Sequence, residues 1–168
     1  MKNDSKKDTD IVKTLILGWE ETRLLTIKWI NFQSIKTLRQ KLPRVGLDTY
    51  TKHLIEMSEV QKSYVNVLYG KNLNFSHVDK SLLHSGTMTK NQIVNKLNRE
   101  DKRLYKAVST IKNWNRPVTL FNKEYPLYYV IELLIRHETF HHGQFIAFCY
   151  SMHLTFPKSW KDAWALPA

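Results

Sequence analysis

The stretch Arg136 to Gln144, RHETFHHGQ, gathers the residues of this sequence best suited to chemistry. His137 and His141 are four positions apart, so on an α-helix they sit about 40° apart around the axis and one turn along it, which lets two imidazoles share one divalent ion. His142 is turned a further ~100° and is expected to stand outside the ligand set. A third candidate, His53, falls on an apolar stripe with Met57, Val60, Tyr64 and Leu68, spaced by three or four. A lone histidine on an apolar face is more often a hydrogen-bonded core residue than a ligand. A pair at helical spacing shifts that balance, because burying imidazoles costs desolvation and a shared metal keeps them neutral and partnered. The expected metal ligands are His53, His137 and His141.

Three neutral imidazoles leave at least one coordination position open, as in catalytic rather than closed structural sites. An ion held this way lowers the pKa of a bound thiol or water and supplies a nucleophile near neutral pH. The chemistry expected is transfer of that nucleophile to a small electrophile, or hydrolysis of one. Glu138 and Glu56 are candidates to orient a ligand imidazole, and Gln144 to hydrogen-bond near the ion; a plain surface or helix-end role stands beside each. Cys149 lies eight residues past His141, two turns away, and reads as a buried structural thiol. His77 and His84 fall in a polar stretch where exposure is the default, and His153 lies past the apolar face of its helix.

His137-Glu138-Thr139-Phe140-His141 also satisfies the H-E-x-x-H pattern of zinc proteases. Those enzymes draw a third ligand from downstream, commonly a Glu, and no Glu follows Glu138 here. Gly143 comes one residue too early for the extended form of the motif. Protease is therefore a minor alternative, beside a metal-binding or ligand-binding module without catalysis.

Four helices are needed to position these residues. The first is predicted from Thr9 or Asp10, with Asp10 as cap, to the neighbourhood of Leu42, where Pro43 follows. LPRVGLD, residues 42 to 48, reads as a connection, with Asp48 capping the helix that carries His53. Residues 70 to 88 form a long polar excursion with one short helical turn. Thr89 and Gln92 make a capping-box pattern for a third helix ending near Trp114. Arg116 to Tyr125 reads as a short hairpin or extended crossover, and Pro126 fits the first position of the fourth helix. That helix carries Val130, Leu134, His137, His141, Phe145, Phe148 and Met152, and is predicted to run for roughly 40 Å before Pro157 stops it. Trp160 and Trp164 in the closing segment are expected to pack back on the helices.

At 168 residues and 42% hydrophobic content the chain suits one domain with a real core. Five glycines and five prolines are few for a β-sandwich or barrel; an all-α class is the better reading. One cysteine excludes an intramolecular disulfide and a cysteine-rich zinc site. The opening residues, polar at positions 1–8 and expected to be flexible, fit neither a signal peptide nor a membrane span, so a cytoplasmic setting is expected. A net charge of +11 admits nucleic acid, an acidic surface or an anionic small molecule as partner. Seven of the basic residues fall between Lys90 and Lys112, dispersed around a helix without the interleaved aromatics of a base-stacking platform. An ordinary solvated basic face is preferred to a nucleic-acid groove.

GLDTYTKHLIEM, LLIRHETFHHGQFIAFCYSMHL and the Pro-Lys-Ser-Trp at 157 to 160 together resemble the DinB/YfiT-like superfamily of metal-dependent enzymes. The likeness runs over the chain after its polar leader, and the second segment, similar to the family's H-x-x-x-H-(H/R)-x-G-Q signature, is the specific one. The resemblance implies a four-helix bundle with an up-down-down-up connection, zinc or nickel on His53, His137 and His141, and a homodimer. Some relatives are S-transferases that join a low-molecular-weight thiol such as bacillithiol to an electrophile, so a small-molecule substrate is implied.

Overall fold

Caps and breaks in the sequence set where each helix begins and ends. The computed structural model describes residues 2–167, with side chains from Asp10 onward. Helix α1 spans Lys2–Phe32 and α2 spans Ile35–Leu38. The expected single helix to Leu42 is thus divided, because Ser34 is extended and its hydroxyl accepts the Thr37 N–H, starting a new helix rather than continuing the old one. Asp10 is not a cap either: it lies inside α1, with its carboxylate on Lys13. Of the leader expected to be flexible, residues 1–8, Met1 and the side chains lie outside the described residues, and the backbone from Lys2 is part of α1.

Helix α3 spans Tyr50–Leu68, and its N-cap is Thr49, whose hydroxyl accepts the Lys52 N–H. Asp48, the expected cap, is held instead by Lys41 and Lys52. The excursion contains α4 (Val78–Leu82) and a single 3-10 turn, Ser85–Thr87. Helix α5, Lys90–Thr110, opens on the predicted capping box of Thr89 and Gln92. It stops before the expected Trp114, at an extended Ile111. Trp114 is buried and accepts the Tyr128 N–H on its carbonyl, anchoring the hairpin that follows.

Strands β1 (Pro117–Leu120) and β2 (Lys123–Pro126) pair antiparallel around Phe121 and Asn122, both at positive φ as a two-residue hairpin turn requires. Pro126 belongs to this hairpin, opposite Pro117, and does not open the last helix. Helix α6 spans Tyr129–Ser151, about 34 Å at 1.5 Å per residue. It ends short of Pro157 because His153 turns left-handed, and the N–H groups of His153 and Leu154 return to the carbonyls of Tyr150 and Cys149 in a Schellman closure. Helix α7, Lys158–Trp164, then folds back and buries Trp160, whose indole N–H bonds the Leu25 carbonyl.

Among the described residues the fold is mostly helical, with only this two-stranded sheet. Helix α1 packs on α6, and α3 packs on both α5 and α6. Two apolar clusters form between them. One holds Trp19, Tyr64, Leu104 and Leu134; the other holds Trp29, Leu54, Leu97 and Phe145. Helices α1 and α6 run from the first cluster to the second, whereas α3 and α5 run from the second to the first. The chain leaves α3 at one end and must enter α5 at the other, and residues 70 to 88 make that return, Val78 packing in the first cluster and Leu82 and Met88 on the second. None of the described helices is long and apolar enough to cross a membrane.

Candidate metal centre

Between the two apolar clusters each long helix contributes polar side chains, and they divide into two groups. The first joins α3 to α6. His141 Nε2 lies 2.9 Å from Glu56 Oε2 and 3.3 Å from His137 Nε2, while His137 Nε2 lies 3.4 Å from the same carboxylate oxygen. Glu56 is one turn after His53 on α3, so the helix that presents one presents the other. Two atoms bound to one tetrahedral ion at about 2.0–2.1 Å are about 3.3 Å apart. Two of the three separations match that edge.

His53 reaches the group differently. Its Nδ1 lies 2.9 Å from Nδ1 of His141, so it meets the ring nitrogen that Glu56 and His137 do not use. Its Nε2 is buried without a hydrogen-bond partner. The atoms that converge on one point are thus those of Glu56, His137 and His141, and His53, the third expected ligand, abuts His141 from outside that group. Glu56 was legible only as a helper, because a carboxylate one turn from a histidine is common on any helix surface.

Protonation states follow from burial and neighbours. Burial holds His53 down at about 3, assisted by the charges of His141 and Arg44. Burial also lowers His141, more strongly than Glu56 raises it. For Glu56 burial acts upward, but hydrogen bonds from His137 and His141 overcome it and hold the carboxyl at about 2. The result is an ionised Glu56 beside a neutral His141 and a neutral His53, the forms in which these groups bind metals.

The second group lies on the other side of α6. Glu138 is buried against α1, its Oε2 2.9 Å from Arg23 Nη2 and its Oε1 accepting the Thr26 hydroxyl. Since the Thr26 proton is used there, His142 Nε2 is the donor in its 2.7 Å contact with Thr26, which leaves His142 Nδ1 as a buried, unpartnered acceptor. Burial lowers His142 to about 3, with the Arg23 charge adding to it. Burial raises Glu138, while Arg23 and Thr26 act against that. Arg23 also bonds Gln61 and faces Asp101, which accepts from Trp19 and Gln61. His142 and Glu138 both face Thr26 of α1, away from the cluster.

Gln144 accepts a 2.7 Å hydrogen bond from Arg44, on the loop before α3. Cys149 is fully buried, 3.6 Å from the Tyr50 hydroxyl, and takes no part in the cluster. His77 is not simply exposed: its Nε2 lies 3.1 Å from Glu59, which also holds Lys62 and Lys96. Several basic residues of α5 are likewise engaged, Lys96 on Glu59, Arg99 and Arg103 on Glu100, and Lys90 on the carbonyls that end α1. In comparisons with models of known protein families and with curated proteins, no match to this chain was found.

Proposed function

We propose that this protein is a divalent-metal-dependent enzyme that activates a thiol or water for transfer to, or hydrolysis of, a small electrophile. The observation that carries this reading is the convergence of His137 Nε2, His141 Nε2 and Glu56 Oε2 between α3 and α6. Glu56 accepts hydrogen bonds from these imidazoles, and a shared cation would take the place of their protons, a role that an ionised carboxylate beside a neutral His141 suits. The chemistry supplied by zinc or nickel when bound is a lowered pKa of a coordinated thiol or water.

His137, His141 and Glu56 hold the ion in this proposal, and His53 fixes the tautomer of His141. With the Nε2 lone pair of His141 committed to the site, its Nδ1 carries the proton and donates it to Nδ1 of His53. A three-histidine set with His53 as ligand is the second reading, favoured by its orphaned Nε2. Phe145 and Phe148 flank His53 and exclude water from that side. His137 and Glu56 are partly exposed, which gives a substrate its approach.

The directions in which the four long helices pass between the two clusters support a four-helix bundle with up-down-down-up connection, and with it the resemblance to the DinB/YfiT-like superfamily. A cytoplasmic S-transferase using a thiol such as bacillithiol, working as a homodimer, is the form of the proposal that this resemblance favours. The protease alternative is weakened because Glu138, the general base of an H-E-x-x-H site, is committed to Arg23 and Thr26.

Titration of tag-free protein with Co²⁺ and Zn²⁺, followed by thiol conjugation to an alkylating dye, tests the proposal. One ion per chain is expected, with turnover that vanishes on chelation and returns with metal. Protein that takes up no ion would refute the metal reading, and a loaded protein without turnover would leave a metal-binding module. Glu138→Gln should leave metal stoichiometry unchanged.

A further inference from the structure

Most arginines on the helices are occupied by acids. Arg23, Arg99, Arg103 and Arg136 each hold a carboxylate within ion-pair distance. Arg44 does not: among the described residues its side chain has one polar partner, the neutral amide oxygen of Gln144. None of its nitrogens is buried without a partner, so the donors not spent on Gln144 meet solvent. A guanidinium has five N–H donors arranged to take a carboxylate in two parallel bonds.

The position of this free cation is fixed from both sides. Gln144 lies three residues after His141 on α6, which places it about 4.5 Å further along the axis. It is also seven residues after His137, hence on the same face of the helix. The loop that carries Arg44 is closed by the Leu42 N–H on the Asp48 carbonyl, by a bridge between Lys41 and Thr49, and by both lysines on Asp48. Gly46, at φ 83°, makes the reversal that returns the chain to α3. The charge of Arg44 is felt at both His53 and His141.

We infer that Arg44, steadied by Gln144, is the anion-recognition residue of the site, taking the carboxylate of a small substrate or thiol whose other end reaches the His137–His141–Glu56 cluster. The metal-centre proposal is needed for the reacting end only; the anionic end rests on Arg44 itself. The substrate class is then a short molecule with a soft donor, such as a thiol, and a carboxylate a few bonds away. Arg44 acts in binding, so its loss should raise KM for anionic substrates more than it lowers kcat.

Two arms test this. In metal-free protein, propionate titration is followed by NMR at the Gln144 side-chain amide and the Arg44 Nε–H. Saturable shifts are expected, weakened about tenfold or more in Arg44→Gln, intermediate in Arg44→Lys, and absent with propionamide. In Co²⁺-loaded protein, 3-mercaptopropionate should bind more tightly than 2-mercaptoethanol, and Arg44→Gln should remove that preference while leaving 2-mercaptoethanol unchanged. Equal shifts with propionamide, or propionate binding indifferent to Arg44→Gln, overturns the inference. Protein that takes up no Co²⁺ fails the metal-centre proposal alone, since the propionate arm still decides the role of Arg44.

Discussion

His53 and His141 face each other through their Nδ1 atoms at 2.9 Å, with ring planes 83° apart. A neutral imidazole carries one proton, so with His141 Nδ1 as the donor in this contact its Nε2 lone pair is left for an ion beside Glu56 and His137. An alanine series separates ligands from orienting groups. Loss of a ligand, in His137→Ala, His141→Ala or Glu56→Ala, should abolish stoichiometric Co²⁺ binding. Loss of an orienting partner, in His53→Ala, should weaken it by about 10–100-fold without abolishing it. Calorimetric titration distinguishes the two, and complete loss in His53→Ala with retained binding in Glu56→Ala would establish the three-histidine set.

The helix carrying His137 and His141 and the stripe carrying His53 were legible because periodicity of three and four survives in any helix that buries one face. The position of Glu56 in the cluster was not, since it depends on how α3 docks on α6. Helix ends were read less well for local reasons. Asp48 and Thr49 are both good caps by residue type, and only the pull of Lys41 and Lys52 on Asp48 decides between them. Pro126 fits a helix start as well as the end of a strand, and the partner across the hairpin, Pro117, settled it. The length of the 70–88 excursion was visible, but its cause, a return between opposite ends of α3 and α5, needs the helix directions.

Asp48 sets a pH dependence of the loop that carries Arg44. Hydrogen bonds from Lys41 and then Lys52 hold its carboxyl at about 2, against an ordinary 3.8. The folded value lies below the unfolded one, so its contribution is present above pH 3.8 and is lost as the pH falls through that value towards 2. Carboxyl ¹³C titration should find the Asp48 midpoint near 2 in low salt. Added salt should raise it, because Lys41 is mostly exposed. A double variant, Lys41→Ala with Lys52→Ala, should return the midpoint towards 3.8; a midpoint already there in the parent protein would contradict the tie.

Trp160 fastens the closing helix to the core beside the second polar group. It is fully buried, its ring centroid is 4.8 Å from that of His142, and it stacks with Phe145 and Phe156. Replacing it by alanine removes that packing and leaves the Leu25 carbonyl without its indole donor. Trp160→Ala should cost about 3–5 kcal/mol in urea unfolding, and amide exchange should show α7 released before the rest. Trp160→Phe keeps the stacking and loses the hydrogen bond, so its cost should be smaller.

Among the described residues Arg23 is the single cation paired with two buried carboxylates, Glu138 and Asp101, and it connects α1 to both α5 and α6. Arg23 also donates to Gln61, Thr26 donates to Glu138 beside it, and the guanidinium lies over the Trp19 ring at 4.7 Å. Arg23→Met preserves much of the volume and removes the charge, leaving two carboxylates in a low-dielectric interior. Breaking a buried pair from one side costs about 3–5 kcal/mol, so the variant should unfold at clearly lower urea. The loss should be partly recovered when Glu138→Gln is added, because one of the stranded charges is then gone. A double-mutant cycle on urea midpoints measures that recovery. Strictly additive losses would show that Arg23 stabilises the fold through packing on Trp19 and not through Glu138.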